Sequence, residues 1–159
     1  MGDSILVYHG SRECVEFPEI RRAGFNKDFY FGFYCTLYRE QAERWATRYG
    51  KNGYINCYQY VSDDKLKYLK FDEMTEEWLD FIVKCRLGQA HDYDIVEGPM
   101  ANDTIFNYVQ DFIDEKISRA AFWELAKFKR PTHQISFHTI AALGTLQFEG
   151  SELIHGGKK

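Results

Sequence analysis

No two cysteines of this sequence stand close together. Cys14, Cys35, Cys57 and Cys85 lie at least 21 residues apart, so the Cys-x-x-Cys pairs of zinc sites and dithiol redox motifs are absent and all four read as reduced thiols. Basic charge is short as well. Twenty Lys and Arg against 24 Asp and Glu give a formal charge of -4 and a pI near 5.7, which argues against the broad basic face that releases counterions from a phosphate backbone. One local basic stretch, Lys127-Phe128-Lys129-Arg130, reads as a solvated turn and keeps nucleic acid open as a partner. Long apolar runs are missing too, and the start MGDSILVYHG has neither a basic n-region nor a long apolar stretch. A membrane partner is therefore not expected, and the chain reads as cytoplasmic. Gly2 does not open a myristoylation signal, because Leu6 stands where that signal needs Ser or Thr. The patterns GxxxxGK[ST], GxGxxG after a strand, and GxSxG are all absent, which removes P-loop, Rossmann and α/β-hydrolase chemistry. His133 and His138, five residues apart on a strand, point to opposite faces, so no metal is expected from them.

What is present is aromatic and apolar: 45% hydrophobic and 17% aromatic residues in 159, enough for one domain that buries roughly two thirds of its unfolded surface. A single domain over 1–150 with a flexible tail at 151–159 is expected. Apolar runs and turn signals predict strands at Ile5–Tyr8, ended by Gly10, and at Phe29–Thr36, where Gly32 marks a bend or a close backbone approach. Ala42, Trp45, Ala46 and Tyr49 share one helical face. Strands follow at Tyr54–Val61 and Leu66–Phe71 around a Ser62-Asp63-Asp64 turn, then a helix at Trp78–Val83, closed by Gly88, with Glu76 and Glu77 in its first turn. Tyr93–Val96 reads as a strand stopped by Gly98-Pro99. Ile105–Phe112 and a segment capped by Ser118 read as helices, His133–His138 as a strand, Ile140–Leu143 as a short helix and Thr145–Phe148 as a closing strand. The class is α+β. The cluster His91-Asp92-Tyr93-Asp94 reads as satisfying loop backbone groups rather than as a metal or acid/base site.

Three stretches stand out together: LVYHGSR at Leu6–Arg12, GFYCT at Gly32–Thr36 and HQISF at His133–Phe137. In order and spacing they resemble the three signature strands of ADP-ribosyltransferases of the diphtheria-toxin and poly(ADP-ribose) polymerase type, the His-Tyr-Glu class. Trp45, eleven residues after Tyr34, falls where the polymerases place a second ring against nicotinamide. With EQAERWA, EWLDFI and HDYDIV added, residues 5–148 resemble a small bacterial family of that superfamily, DUF3990.

The resemblance implies a split β-sheet core flanked by helices and NAD as co-substrate. It implies that the main chain of Gly10 grips the carboxamide, that His9 meets a ribose hydroxyl with Ser11 and Arg12 beside it, and that Tyr34 and Trp45 stack on nicotinamide. Arg21 or Arg22 would meet the pyrophosphate. Gln134 would stand in the third catalytic position beside His9 and Tyr34. Two departures matter. Ala42 replaces the serine that holds the carboxamide in the polymerases. Gln134 replaces the glutamate, so it accepts a hydrogen bond but brings no charge and no base. Chain growth is therefore not expected, and the activity implied is mono-ADP-ribosyl transfer or NAD hydrolysis, with an unidentified macromolecular or small-molecule acceptor. As in other small standalone bacterial members, a toxin or defence role with an antitoxin partner is implied. The alternatives are a catalytically silent NAD or ADP-ribose binding module and an interaction domain.

Overall fold

In the GYINCYQYV stretch of β3 (Gly53–Val61), Asn56, Tyr58 and Tyr60 are buried on one face and Gly53 and Ile55 on the other, as befits the central strand of a sheet covered on both sides. This computed structural model describes residues 4–20, 29–100, 103–127 and 132–156. On either side of β3 run β1 (Ser4–Ser11) and β7 (Leu146–Ile154), both antiparallel to it. A second, four-stranded sheet has the order β2 (Phe33–Cys35), β6 (Thr132–Phe137), β5 (Ile95–Met100) and β4 (Tyr68–Lys70). Among the described residues the sheets are joined by a single antiparallel bridge between Tyr8 and Thr36, with both hydrogen bonds at 2.8 Å.

Two cores follow from this layering. Val7, Tyr58 and Tyr60 of the first sheet meet Phe33, Ile135 and Phe137 of the second. On its other face the second sheet is covered by α2 (Glu76–Arg86), α3 (Asp103–Ile113) and α4 (Arg119–Ala126), through Trp78, Ile82, Ile105, Val109 and Phe122. Thr75 and Ser118 cap α2 and α4 by accepting backbone N–H bonds at 3.2 and 3.1 Å, each worth about 1 kcal/mol. The short α5 (Ile140–Leu143) is capped by Thr139 in the same way. Helix α1 (Arg39–Ala46) lies against the outer side of the first sheet, seated on Gly10 and Gly53, and runs into a 3-10 turn at Arg48–Gly50.

The fold is thus mixed α+β, with two sheets and, among the described residues, five α-helices. Several expectations need correction. The first strand does not stop before Gly10 but runs to Ser11, and only Val7 of its apolar start is buried, Ile5 and Leu6 being 43% and 42% exposed. Phe29–Thr36 is a strand only at Phe33–Cys35, because Tyr30 adopts φ 79° and turns the chain. Ser62–Asp64 does lead from β3 toward β4, yet the two strands lie in different sheets, and β4 instead pairs in parallel with β5. Gly98-Pro99 does not stop β5. The Glu97 carbonyl accepts from Phe71 N–H on the β4 side, and Pro99, two residues on, turns its missing N–H to that side just beyond the end of β4, so no ladder bond is lost. Finally, residues 151–154 are not tail: they continue β7, paired with Gly53–Asn56.

Candidate functional site

The bridge at Tyr8 and Thr36 fixes what lies next to it. Continuing its antiparallel register sets Gly10 opposite Tyr34, but β1 and β2 pair at that bridge alone and part from there. Because Tyr8 directs its N–H and C=O at Thr36, Gly10, two residues on, directs both of its own into the gap and away from β3. His9 crosses the gap: its Nδ1–H donates to the Tyr34 carbonyl at 2.6 Å, and its ring stacks on Phe33 with centroids 4.2 Å apart. On the far side stands α1, whose Trp45 is half-buried and whose Cβ lies 2.9 Å from where a Cβ on Gly10 would be.

Gly10 has a structural reason to be glycine that is independent of any ligand. A Cβ there would lie 2.1 Å from the Ala42 carbonyl oxygen, so it is the backbone of α1, before any ligand, that excludes a side chain. Tyr34 is held by its hydroxyl, which donates to the Tyr30 carbonyl and accepts from Phe29 N–H at 3.1 Å. Gln134 shares Tyr34's face of the second sheet, one pleat along from Ser136, the partner of Tyr34. It is 1% exposed, and its Nε2 has no hydrogen-bond partner among the described residues. Ser11 Oγ accepts from Glu13 N–H at 3.3 Å, and Arg12 is exposed at the strand end. Arg21, Arg22 and Phe128–Arg130 lie outside the described residues. His133 and His138 do face opposite sides of β6, toward Glu97 and toward Tyr34 respectively.

Three supports of this site carry no signal in the sequence. Buried Asn56, opposite His9, accepts from Val15 N–H at 2.8 Å and donates to the His9 and Glu13 carbonyls, folding the chain after the His-Gly-Ser stretch back on β1. Buried Gln41 of α1 bonds both the N–H and the carbonyl of His133, which ties the start of β6 to the helix that carries Trp45. The third support is a clamp on the carbonyls of residues 29, 30 and 31. Phe29 O accepts from His91 Nε2 at 2.9 Å, Tyr30 O from Tyr34, and Phe31 O from His138 Nδ1 at 2.7 Å. The cluster at 91–94 thus serves the loop, as expected: Tyr93 N–H donates to His91 Nδ1, and Asp94 accepts from Lys67 N–H and Thr139.

Burial biases both clamp histidines toward the neutral form. Burial pushes His138 down to about 4, with His91 4.4 Å away adding repulsion and Phe31 O and Asp94 opposing the shift. Burial also lowers His91, partly offset by Phe29 O and Asp92. A depressed histidine favours the fold above its unfolded pKa near 6.5 and loses that stability as pH falls toward 4. For His138 the full difference is about 3 kcal/mol. Stability against denaturant is expected to fall steadily from about pH 6.5 to 5. In His138→Asn that slope should flatten; an unchanged slope would show that the clamp does not titrate.

A cavity of about 680 Å³ is lined by Leu37, Tyr38, Glu97, Gly98, Trp123 and His133 among others. None of His9, Gly10, Tyr34 and Trp45 is on its wall. Among the described residues no helix is long and apolar enough to cross a membrane. Residues 5–148 match the family described as "Protein of unknown function (DUF3990)". No curated protein and no solved structure matches the chain.

Proposed function

Starting from a chain that belongs to the DUF3990 family, we propose that it is an NAD-dependent mono-ADP-ribosyltransferase of the ADP-ribosyltransferase superfamily, with the split-sheet fold of the His-Tyr-Glu class. The observation that carries this reading is the gap between β1 and β2, where Gly10 presents N–H and C=O side by side, with Tyr34 opposite and Trp45 alongside. A carboxamide is the complement of such a pair, since it offers one acceptor and two donors in a plane. The nicotinamide ring, a planar cation while bound to ribose, suits the aromatic sides of the gap.

The chemistry asks for little proton traffic. Nicotinamide leaves as a neutral molecule from a cationic ground state, so no general acid is needed, and the protein's work is to hold the ribose as it gains positive charge. His9, oriented by Tyr34 O, presents Nε2 to a ribose hydroxyl, while the Gln134 amide oxygen accepts from the 2′-hydroxyl of the nicotinamide ribose. ADP-ribose then passes to an acceptor or to water. Without a carboxylate at position 134 no sugar hydroxyl is activated, so transfer ends at one unit. The biological setting in this reading is a toxin or defence effector with a partner antitoxin.

Burial of the neutral Gln134 favours a second reading, a module that binds NAD or ADP-ribose without cleaving it. Nicotinamide release from NAD by the purified protein separates the two. Release is expected, lost in His9→Ala and Gln134→Ala, and Trp45→Ala should weaken NAD binding about tenfold, or 1.4 kcal/mol, with circular dichroism unchanged. Binding without release would establish the second reading, and absence of binding would remove the site.

A further inference from the structure

The 680 Å³ cavity is large enough for a small molecule or one long side chain. In its wall sits the carboxylate of Glu97, with a side chain only 11% exposed. Its two oxygens are approached by Tyr68 Oη and by His133 Nε2, the latter at 2.9 Å. The backbone N–H of Leu37 donates to His133 Nδ1 at 3.2 Å, which makes Nδ1 an acceptor and leaves the proton on Nε2. Both groups on Glu97 are therefore neutral donors, and among the described residues no ammonium or guanidinium contacts it. A nearly buried carboxylate without a cation is costly, whereas one that opens on a cavity can take its counter-charge from a ligand.

The rest of the lining narrows the ligand. Lys70 and Lys127 line the same cavity but face Asp72 and Glu124 respectively, so they do not make it a site for an anion. Tyr38, Phe71 and Trp123 supply aromatic faces, on which a flat, weakly hydrated cation stacks better than a compact ammonium. Each Glu97 oxygen keeps lone-pair capacity beyond the one donor it receives, the geometry that a two-pronged guanidinium matches.

We infer that this cavity binds a guanidinium, an arginine side chain of a partner protein. The side chains of Glu97 and His133 lie on the face of the second sheet opposite to that of Gln134, so this site is separate from the position assigned to the ribose and does not depend on the NAD reading above.

The test uses the whole chain without NAD. Binding of N-acetyl-arginine methylamide is compared by calorimetry with its neutral citrulline counterpart and with inorganic phosphate, while the Trp123 indole signal is followed by NMR. Arginine amide is expected to bind at least tenfold more tightly than the citrulline form and to shift Trp123. That preference should vanish in Glu97→Gln, and affinity should fall several-fold in Tyr38→Ala, whose side chain is exposed and leaves the core untouched. Equal binding of the two amides, binding of phosphate instead, or arginine binding unchanged in both variants would overturn the assignment.

Discussion

Gly10→Ala is expected to destabilise the fold by about 3 kcal/mol, at the top of the usual range for overpacking. The added Cβ would sit 2.1 Å from Ala42 O and 2.8 Å from Ala46 N, and both are backbone atoms of α1 rather than the yielding end of a side chain. Relief requires α1 to lift off β1, but the helix is held at Gly53 as well, where a Cβ would meet Ala46 O at 1.9 Å, and through the Arg39–Glu152 ion pair to β7. Against a total stability of some 5 to 15 kcal/mol such a loss is large. Gly144→Ala is the control: its φ of -66° suits any residue and its nearest neighbour, Ala141 O, is 3.3 Å from the new Cβ, so a change within about 1 kcal/mol is expected. Urea unfolding of both variants decides the matter. Equal midpoints would mean that α1 is loosely seated. A large loss for Gly10→Ala would also displace Trp45, so the site and the fold share one contact.

That shared contact illustrates what a sequence can and cannot disclose. The apolar spacing of Ala42, Trp45 and Ala46 is a local signal and gives α1, and capping by Ser118 makes α4 equally local. The three motif strands were legible because each carries its own short pattern; in the structure His9 bonds the Tyr34 carbonyl and Trp45 of α1 lies against Gly10. What failed was nonlocal. Whether Pro99 ends a strand depends on where β4 stops, and β4 is some thirty residues away in the chain. Gln41 and Asn56 read as ordinary polar residues, since their partners His133 and Val15 are 92 and 41 positions distant. Likewise, Glu97 and His133 form their pair only because β5 and β6 are neighbours in the sheet.

Gln134→Glu should raise nicotinamide release at least tenfold, about 1.4 kcal/mol off the barrier, while making the unliganded protein less stable. Gln134 is 1% exposed, and its amide nitrogen already lacks a partner among the described residues, so a carboxylate there would be buried without a counter-charge. Burial disfavours the ionised form and raises the carboxyl pKa above its unfolded value near 4.3. The variant is therefore closest to wild-type stability at low pH and loses stability as pH rises through that raised pKa. Bound NAD reverses the balance, because the ribose gains positive charge as nicotinamide leaves and the carboxylate then has a partner exactly where the barrier lies. The gain in rate should consequently appear on the alkaline side of the same titration that lowers stability, and NAD should protect the variant from unfolding more than it protects wild type. Circular dichroism at pH 6 checks folding, and a pH series of nicotinamide release checks the coupling. A folded variant that binds NAD as wild type does, yet shows no gain at any pH, would place position 134 away from the ribose and remove Gln134 from the proposed site.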